Sequence, residues 1–358
     1  MPRMAVHGVR PAGTGPDTKE GGFDVAVLGG TGFIGARVVK RFLAAGRRVG
    51  VTARNPGNLP PVFDDERVTL IRGDVSLPGD VDRGIGRASV VVNLAPGGGR
   101  SWPEVERSMV GGARLVAECC RRKGVSSLIH VSSIVALYLG DETAVITGAT
   151  AADPRPEKRG TYARGKAVSE RLLLGMHRSD GLPVCILRPG IVLGAGGKPF
   201  HGGVGLYSGG RHCLGWTTGD VPLPFVLAGD VADAIVLAAR NEGLAGRCYN
   251  LVGDVPMTAR EYIDALARVL ERPLRFHGRS LFTWRAIEVG KWMVKRLIGR
   301  TDPFPSYRDL KSRRLTARFD CGDAKRDLGW RPVADRETFR RLGIDVYGKA
   351  SPDMCGKA

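Results

Sequence analysis

Tyr162 and Lys166 stand four residues apart in the run Tyr162-Ala163-Arg164-Gly165-Lys166, downstream of a Ser132-Ser133 pair. On a helix, side chains at i and i+4 project from one face. An ammonium beside a phenol lowers the phenol's pKa toward the working range, so Tyr162 can give or take a proton while Ser133 hydrogen-bonds the same substrate oxygen. Such a set does proton chemistry at an alcohol or a carbonyl. A change of oxidation state needs a second reactant, and Gly29-Gly30-Thr31-Gly32-Phe33-Ile34-Gly35 near the start of the chain is suited to bind one.

Gly29, Gly32 and Gly35 lie between an apolar run, Phe23 to Leu28, and a stretch with helical spacing, Phe33 to Ala45. Glycine permits the tight turn there and lets backbone N–H groups approach a pyrophosphate at the helix N-terminus. Thr31, Phe33 and Ile34 share that loop. About twenty residues further on, an NAD site places Asp or Glu on the ribose hydroxyls. Thr52-Ala53-Arg54 stands there instead. Arg54 can pair with a 2′-phosphate, which favours NADP(H) and leaves NAD(H) open, the alternative being a solvated surface arginine. Asp74-Val75 can accept from an adenine amino group or cap the next turn. Asn93-Leu94-Ala95 ends a strand beside the cofactor.

These groups need a frame. Strands are expected at Phe23–Leu28, Val49–Thr52, Val68–Ile71, Val90–Asn93, Ser127–Val131 and Pro183–Leu187, with helix-sized segments between them, the longest at 103–122 and 157–176. Alternating strands and helices imply a parallel sheet covered on both faces, the doubly wound α/β Rossmann class. The organisation reads as a flexible tail at 1–22, a dinucleotide-binding domain at 23–190, a smaller and mainly substrate-binding lobe at 191–348, and a flexible tail at 349–358. A strand near 248–252 returns to the main sheet.

Ten glycines fall between Gly194 and Gly219, interleaved with His201, Tyr207, His212, Cys213 and Trp216. A loop this long inside a compact protein is usually functional, so it is expected to line the substrate pocket. Tyr207 and Trp216 are the pocket candidates, with ordinary core packing as the alternative. The two histidines and Cys213 lack recognised ligand spacing, and no metal is expected. Residues 281–299 place Arg285, Glu288, Lys291 and Lys295 on one helical face and Ala286, Val289, Met293 and Leu297 on another. Packing on the lobe is the favoured reading of that helix, and contact with an anionic membrane surface is the alternative.

With 43% hydrophobic and 25% charged residues in 358, the chain has the composition of a globular protein. Its formal charge of +18 attracts anions in general and selects none. The basic residues come without an aromatic stacking platform or a DNA-reading motif, so no nucleic-acid partner is expected. Seven cysteines without Cys-x-x-Cys spacing suit free thiols in the cytoplasm. No window is apolar enough for a spanning helix, which leaves a soluble or membrane-peripheral protein.

Taken together, the chain resembles the extended, epimerase/dehydratase-like branch of the short-chain dehydrogenase/reductases over about residues 23–335. The resemblance rests on the glycine loop, Asn93-Leu94-Ala95, Val131-Ser132-Ser133, Tyr162 to Lys166, Leu187-Arg188-Pro189-Gly190, Asp230-Val231-Ala232, Tyr249-Asn250-Leu251 and Leu328-Gly329-Trp330-Arg331-Pro332. It implies that Tyr162 is the acid/base, that Lys166 also holds the nicotinamide ribose, that Ser133 polarises the substrate oxygen, and that Pro189 borders the cofactor. It also implies a homodimer through helices around 103–122 and 157–176.

Departures from the family pattern narrow the substrate. Ile134-Val135 replaces the acidic pair that follows the catalytic hydroxyl in sugar 4,6-dehydratases. Leu223 occupies the place of a pyrophosphate-binding Arg, and Met109 that of a common Asn. What remains looks most like the hydroxysteroid dehydrogenase and dihydroflavonol reductase neighbourhood. The expected activity is NADP(H)-dependent interconversion of an alcohol and a ketone on a small to medium, largely apolar molecule. The alternatives are an NAD-dependent nucleotide-sugar epimerase and a non-catalytic, cofactor-binding regulatory subunit.

Overall fold

A computed structural model describes residues 22–348, Asn58 excepted. The two expected tails therefore lie, Gly22 apart, outside the described residues. Seven strands form the central sheet: β1 (Val25–Leu28), β2 (Val49–Ala53), β3 (Val68–Arg72), β4 (Val90–Asn93), β5 (Ser127–Val131), β6 (Val184–Pro189) and β7 (Cys248–Leu251). Their order is β7-β6-β5-β4-β1-β2-β3, and every pairing is parallel. Buried on both faces, such strands read as unbroken apolar runs rather than alternating ones. β1 is Val-Ala-Val-Leu, buried throughout.

The chain order reverses between β1 and β4, where Leu28 pairs with both Thr52 and Asn93. Ligands of open α/β sheets bind at the carboxyl ends of the strands flanking such a reversal. The glycine loop after β1 and Asn93-Leu94-Ala95 after β4 occupy those two ends.

Helices α1 (Gly35–Ala44), α2 (Gly112–Arg122), α3 (Thr161–Asp180) and α4 (Ala228–Ala239) cover the sheet. The expected helix at 103–122 is not uniform: it widens into a π-helical turn over Glu106–Gly111. Met109, in that turn, faces Gly97 and Gly165, where any Cβ would strike it. α3 begins at Thr161, later than the spacing implied, because Pro156–Lys158 form a separate 3₁₀ turn.

The C-terminal half is shared between two bodies. α4 packs on α1 through Arg41 and Asp233 at 2.6 Å, and β7 extends the sheet beyond β6, so 228–251 serves the sheet rather than the lobe. Asp230 and the Trp330 motif meet there: Trp330 Nε1 donates to the Asp230 carbonyl at 2.8 Å, and the Val333 N–H donates to its carboxylate at 3.1 Å. Those two family motifs join elements to one another and stand apart from the site.

The glycine-rich segment is not the structureless loop expected from its composition. Gly205–Ser208 and His212–Gly215 are antiparallel strands, with Arg275–His277 added on the outer side of the second. Glycine at 215 and 219 is a packing requirement, because both lie against the Phe276 ring where a Cβ would clash.

The catalytic helix candidate α3 is tied to β6 by a buried ion pair. Arg188 donates to Glu170 through Nε at 3.1 Å and Nη2 at 2.8 Å, and both residues are buried. Nη1 is taken up by the carbonyls of Gly148 and Thr150. Removing one partner of such a pair leaves a buried charge uncompensated. Glu170→Gln is accordingly expected to cost about 3–5 kcal/mol of stability, read as a lowered urea midpoint at unchanged m-value.

Candidate active site

Two cavities lie along the carboxyl edge of the sheet. The first, of about 530 Å³, runs beside the β1–β4 reversal and is lined by Gly29, Thr31, Gly32, Arg54, Asp74, Val75 and Ala95 among others. Gly29 has φ +77° and packs against the Ala95 backbone, so only glycine fits. Gly35 sits directly over the Gly30 carbonyl, which brings α1 close to β1. The first turn of α1 carries no acidic side chain, so nothing there repels an anion from the positive end of the helix dipole. Small residues over a helix N-terminus, with the exposed Arg54 in the same groove, fit a phosphorylated dinucleotide.

Other expected cofactor residues have different places. Asp74 lines the groove and also caps a turn: its Oδ1 accepts from the Ser76 N–H at 2.9 Å and from the Ser76 hydroxyl at 2.8 Å, which holds the carboxyl below its ordinary range. Asn93 is buried and accepts from the Ala95 N–H at 3.1 Å, while its amide faces His130 Nδ1 at 3.4 Å. It therefore shapes the β4 turn rather than the groove wall. Leu94 packs into the core under the same turn. Phe33 turns away from the groove to contact Gly196 and Gly197, and its ring lies under the Arg37 guanidinium. Ile34 and Pro189 belong to the second cavity.

That second cavity encloses about 570 Å³. Ser132, Ser133 and Tyr162 line it together with Ile34, Ile134, Val135, Leu139, Pro189, Ile191, Val192 and Trp216. The three expected catalytic residues are thus set by β5 and α3. Ser133 follows β5 and accepts from the Val135 N–H at 3.4 Å. Lys166 is buried, donates to the Val131 carbonyl at 3.2 Å, and has its Nζ 5.8 Å from the centre of the Tyr162 ring.

The expected lowering of the tyrosine pKa is absent. Desolvation raises the Tyr162 hydroxyl above the ordinary phenol value, because Lys166 is engaged with Val131 rather than directed at the phenol. Burial also pushes the Lys166 ammonium down to about 8, partly opposed by the Glu170 carboxylate one turn on. His130, beside it, is pushed down to about 3 by burial and then by Lys166, and stays neutral.

Tyr207 is placed elsewhere. Its ring packs on Phe200 at 5.0 Å in the lobe core and does not line the cavity. Leu223 is likewise a core residue. His201 lines the cavity, His212 pairs with His277 at 2.9 Å, and Cys213 is buried, so the three do not converge. Among the described residues no cluster of His, Cys, Asp or Glu suits a metal, and the six cysteines are free.

The cavity also holds residues that no motif announces. Arg159 donates to Asp153 at 2.7 Å and to Asp309 at 3.3 Å, and Asp309 accepts from the Gly160 N–H at 2.8 Å. This network fastens the start of α3 to Tyr307–Arg313, a helix that brings Asp309, Ser312 and Arg313 to the cavity wall. Ser132 was within reach of sequence reasoning as one of a pair. Asp309 and Arg313 were not, because they arrive from nearly 150 residues downstream of Tyr162 without a local pattern.

Known proteins share this fold. The family model for the NAD dependent epimerase/dehydratase family matches residues 25–252. The chain is 25% identical over 296 residues to the decarboxylating sterol-4-alpha-carboxylate 3-dehydrogenase ERG26 of Saccharomyces cerevisiae, covering 75% of this chain and 84% of that protein. It is 27% identical over 357 residues to the human 3 beta-hydroxysteroid dehydrogenase type 7, covering 89% and 94%. The UDP-glucose 4-epimerase of Thermus thermophilus, solved with NAD, has the same fold at a TM-score of 0.67 and 22% identity, with 91% and 99% of the two chains covered. A parallel seven-stranded sheet, a glycine cradle at its reversal point and a family match across most of the sheet domain place the chain among the enzymes of the NAD dependent epimerase/dehydratase family, the extended short-chain dehydrogenase/reductases.

Proposed function

We propose that this enzyme interconverts a secondary alcohol and its ketone on a largely apolar, ring-bearing substrate, with NADP(H) as the cofactor. The observation that carries the reading is the wall composition of the catalytic cavity. The Tyr162 and Ser133 hydroxyls open onto Ile34, Ile134, Val135, Leu139, Ile191, Val192 and Trp216. The polar side chains on the same wall, Arg159, Asp309, Ser312 and Arg313, are already engaged with protein partners, so a sugar ring with hydroxyls on every side would leave most of them unpaired. The sterol and hydroxysteroid substrates in the relatives' names suit it.

In the reducing direction Tyr162 gives its proton to the carbonyl oxygen, and Ser133 donates a second hydrogen bond to that oxygen. Lys166 leaves the Val131 carbonyl to hold the cofactor ribose and to stabilise the phenolate that Tyr162 becomes. The nicotinamide cofactor, when bound, supplies the hydride in this direction and accepts it in the other. Ile134 and Val135 have no acid to offer, so loss of water from the substrate is not supported at this site.

Following NADPH absorbance with a 3-ketosteroid, a small apolar ketone and UDP-glucose tests the reading. Turnover is expected with a ketone. Protein that retains NAD and turns over only the sugar nucleotide would overturn it in favour of the epimerase. Tyr162→Phe should lower kcat by about 10²–10⁴ with NADPH binding intact. Arg54→Asp should weaken NADPH binding about ten- to hundredfold and leave NADH little changed, as titration of each cofactor would register. Because the free enzyme holds Lys166 down to about 8, cofactor affinity should fall as pH rises through that value and the ammonium is lost. Lys166→Met should bind weakly at every pH with no such inflection, and a flat wild-type profile up to pH of about 10 would count against the ribose role.

A further inference from the structure

Helix α5 (Leu281–Leu297) is attached to the lobe along one side. Trp284 is buried there, donates Nε1 to the Gly215 carbonyl at 2.7 Å, and packs on Trp216 with ring centres 4.6 Å apart. The opposite side is uncovered: Phe282 is 83%, Met293 54% and Leu297 86% exposed. Phe282, Ala286, Val289, Met293 and Leu297 follow one another at helical spacing, so they form a single apolar stripe about 22 Å long at 1.5 Å per residue. Val294 and Ile298, also exposed, broaden its C-terminal end.

By helical spacing Arg285 and Arg296 flank this stripe and Arg300 follows its end, while Lys291 and Lys295 lie on the opposite side of the helix, the side of Trp284. Residues 281–300 hold Arg285, Lys291, Lys295, Arg296 and Arg300 against one carboxylate, Glu288. Glu288 pairs with Lys291 at 3.0 Å and Asp302 reaches Lys295 at 3.4 Å, while Arg296 and Arg300 enter no ion pair among the described residues. Water gains nothing from an apolar stripe of this length, and a lone monomer seldom leaves one bare.

We propose that α5 docks in the plane of an anionic lipid surface, with the stripe facing the acyl chains and Arg285, Arg296 and Arg300 at the headgroups. An apolar face bordered by Lys and Arg is the pattern of helices that lie in such an interface. Charge separates this occupant from a second copy of the chain, since a two-fold contact along the stripe would set Arg285, Arg296 and Arg300 against the same three cations of the other copy, in a chain of formal charge +18. No described helix is long and apolar enough to cross a membrane, which agrees with contact at the surface.

The lobe-facing side of α5 lies close to the site. A smaller cavity of about 250 Å³ at Glu288 and Leu310 shares Trp216, Asp309 and Arg313 with the catalytic cavity. Docking would therefore bring the catalytic cavity near the phase in which apolar molecules dissolve. The docking itself does not depend on the substrate reading and is tested without turnover.

The full chain is sedimented with vesicles of phosphatidylglycerol and phosphatidylcholine in equal parts, and with phosphatidylcholine alone. Binding is expected on the anionic vesicles at low salt, with much less on the neutral ones. Arg296→Gln with Arg300→Gln should lower partitioning about thirtyfold, near fivefold for each cation. Met293→Ser with Leu297→Ser should lower it at least about tenfold, with the circular dichroism unchanged because both side chains are exposed. Absence of binding to anionic vesicles, or binding that neither pair of substitutions weakens, overturns the proposal. So does a dimer in sedimentation velocity that Met293→Ser with Leu297→Ser converts to monomer, because a second copy then covers the stripe.

Discussion

The site depends on one buried ion pair, Glu170 with Arg188. Two charges removed from water are tolerated only when geometry and additional hydrogen bonds replace what hydration supplied. Glu170 receives Nε and Nη2 of the guanidinium, and the carbonyls of Gly148 and Thr150 receive Nη1. That requirement holds α3 against β6 and draws in the loop that precedes the Asp153 network. Glu170 lies one turn beyond Lys166, so the carboxylate that fixes the helix also acts on the Lys166 ammonium, opposing the loss of its charge by burial.

Tyr162 is then held at two points along its own helix. Farther in, Glu170 meets Arg188. At the start, the Gly160 N–H and Arg159 both meet Asp309. The second attachment comes from the lobe, so the lobe helps position the phenol as well as shaping the cavity around it. Effective positioning of reacting groups is worth several kcal/mol of barrier. Here it is divided between a β-strand and a helix that are more than a hundred residues apart in sequence.

Much of this frame is legible in the sequence, because its causes are local. The buried parallel strands are short apolar runs, the cofactor turn needs glycine, and Tyr162 and Lys166 follow helical spacing. β7 was legible as a return to the sheet for the same reason. Readings that failed concern long-range contact. Tyr207 and Trp216 look alike in sequence, yet one packs on Phe200 and the other reaches the cavity, a distinction made by residues far from either. The strands within 194–219 were hidden because their glycines make room for Phe276, which lies outside that segment. Asn93 ends its strand as expected, but its carboxamide is spent on Ala95 and His130.

The sequence-level account of Tyr162 activation fails for an electrostatic reason that the fold makes explicit. Spacing shows that phenol and ammonium share a helix face, but not which acceptor the ammonium takes. In the free enzyme that acceptor is the Val131 carbonyl, and burial acts on both groups in the direction of neutrality: Tyr162 keeps its proton more firmly and Lys166 releases its own more easily. His130, buried beside Lys166 and neutral, adds no charge that would resist this. On the proposed reading, a phenolate is stabilised here only if Lys166 keeps its ammonium and turns from the Val131 carbonyl toward the phenol. On that reading, acid/base competence belongs to the loaded site, and Glu170 opposes the loss of the Lys166 charge.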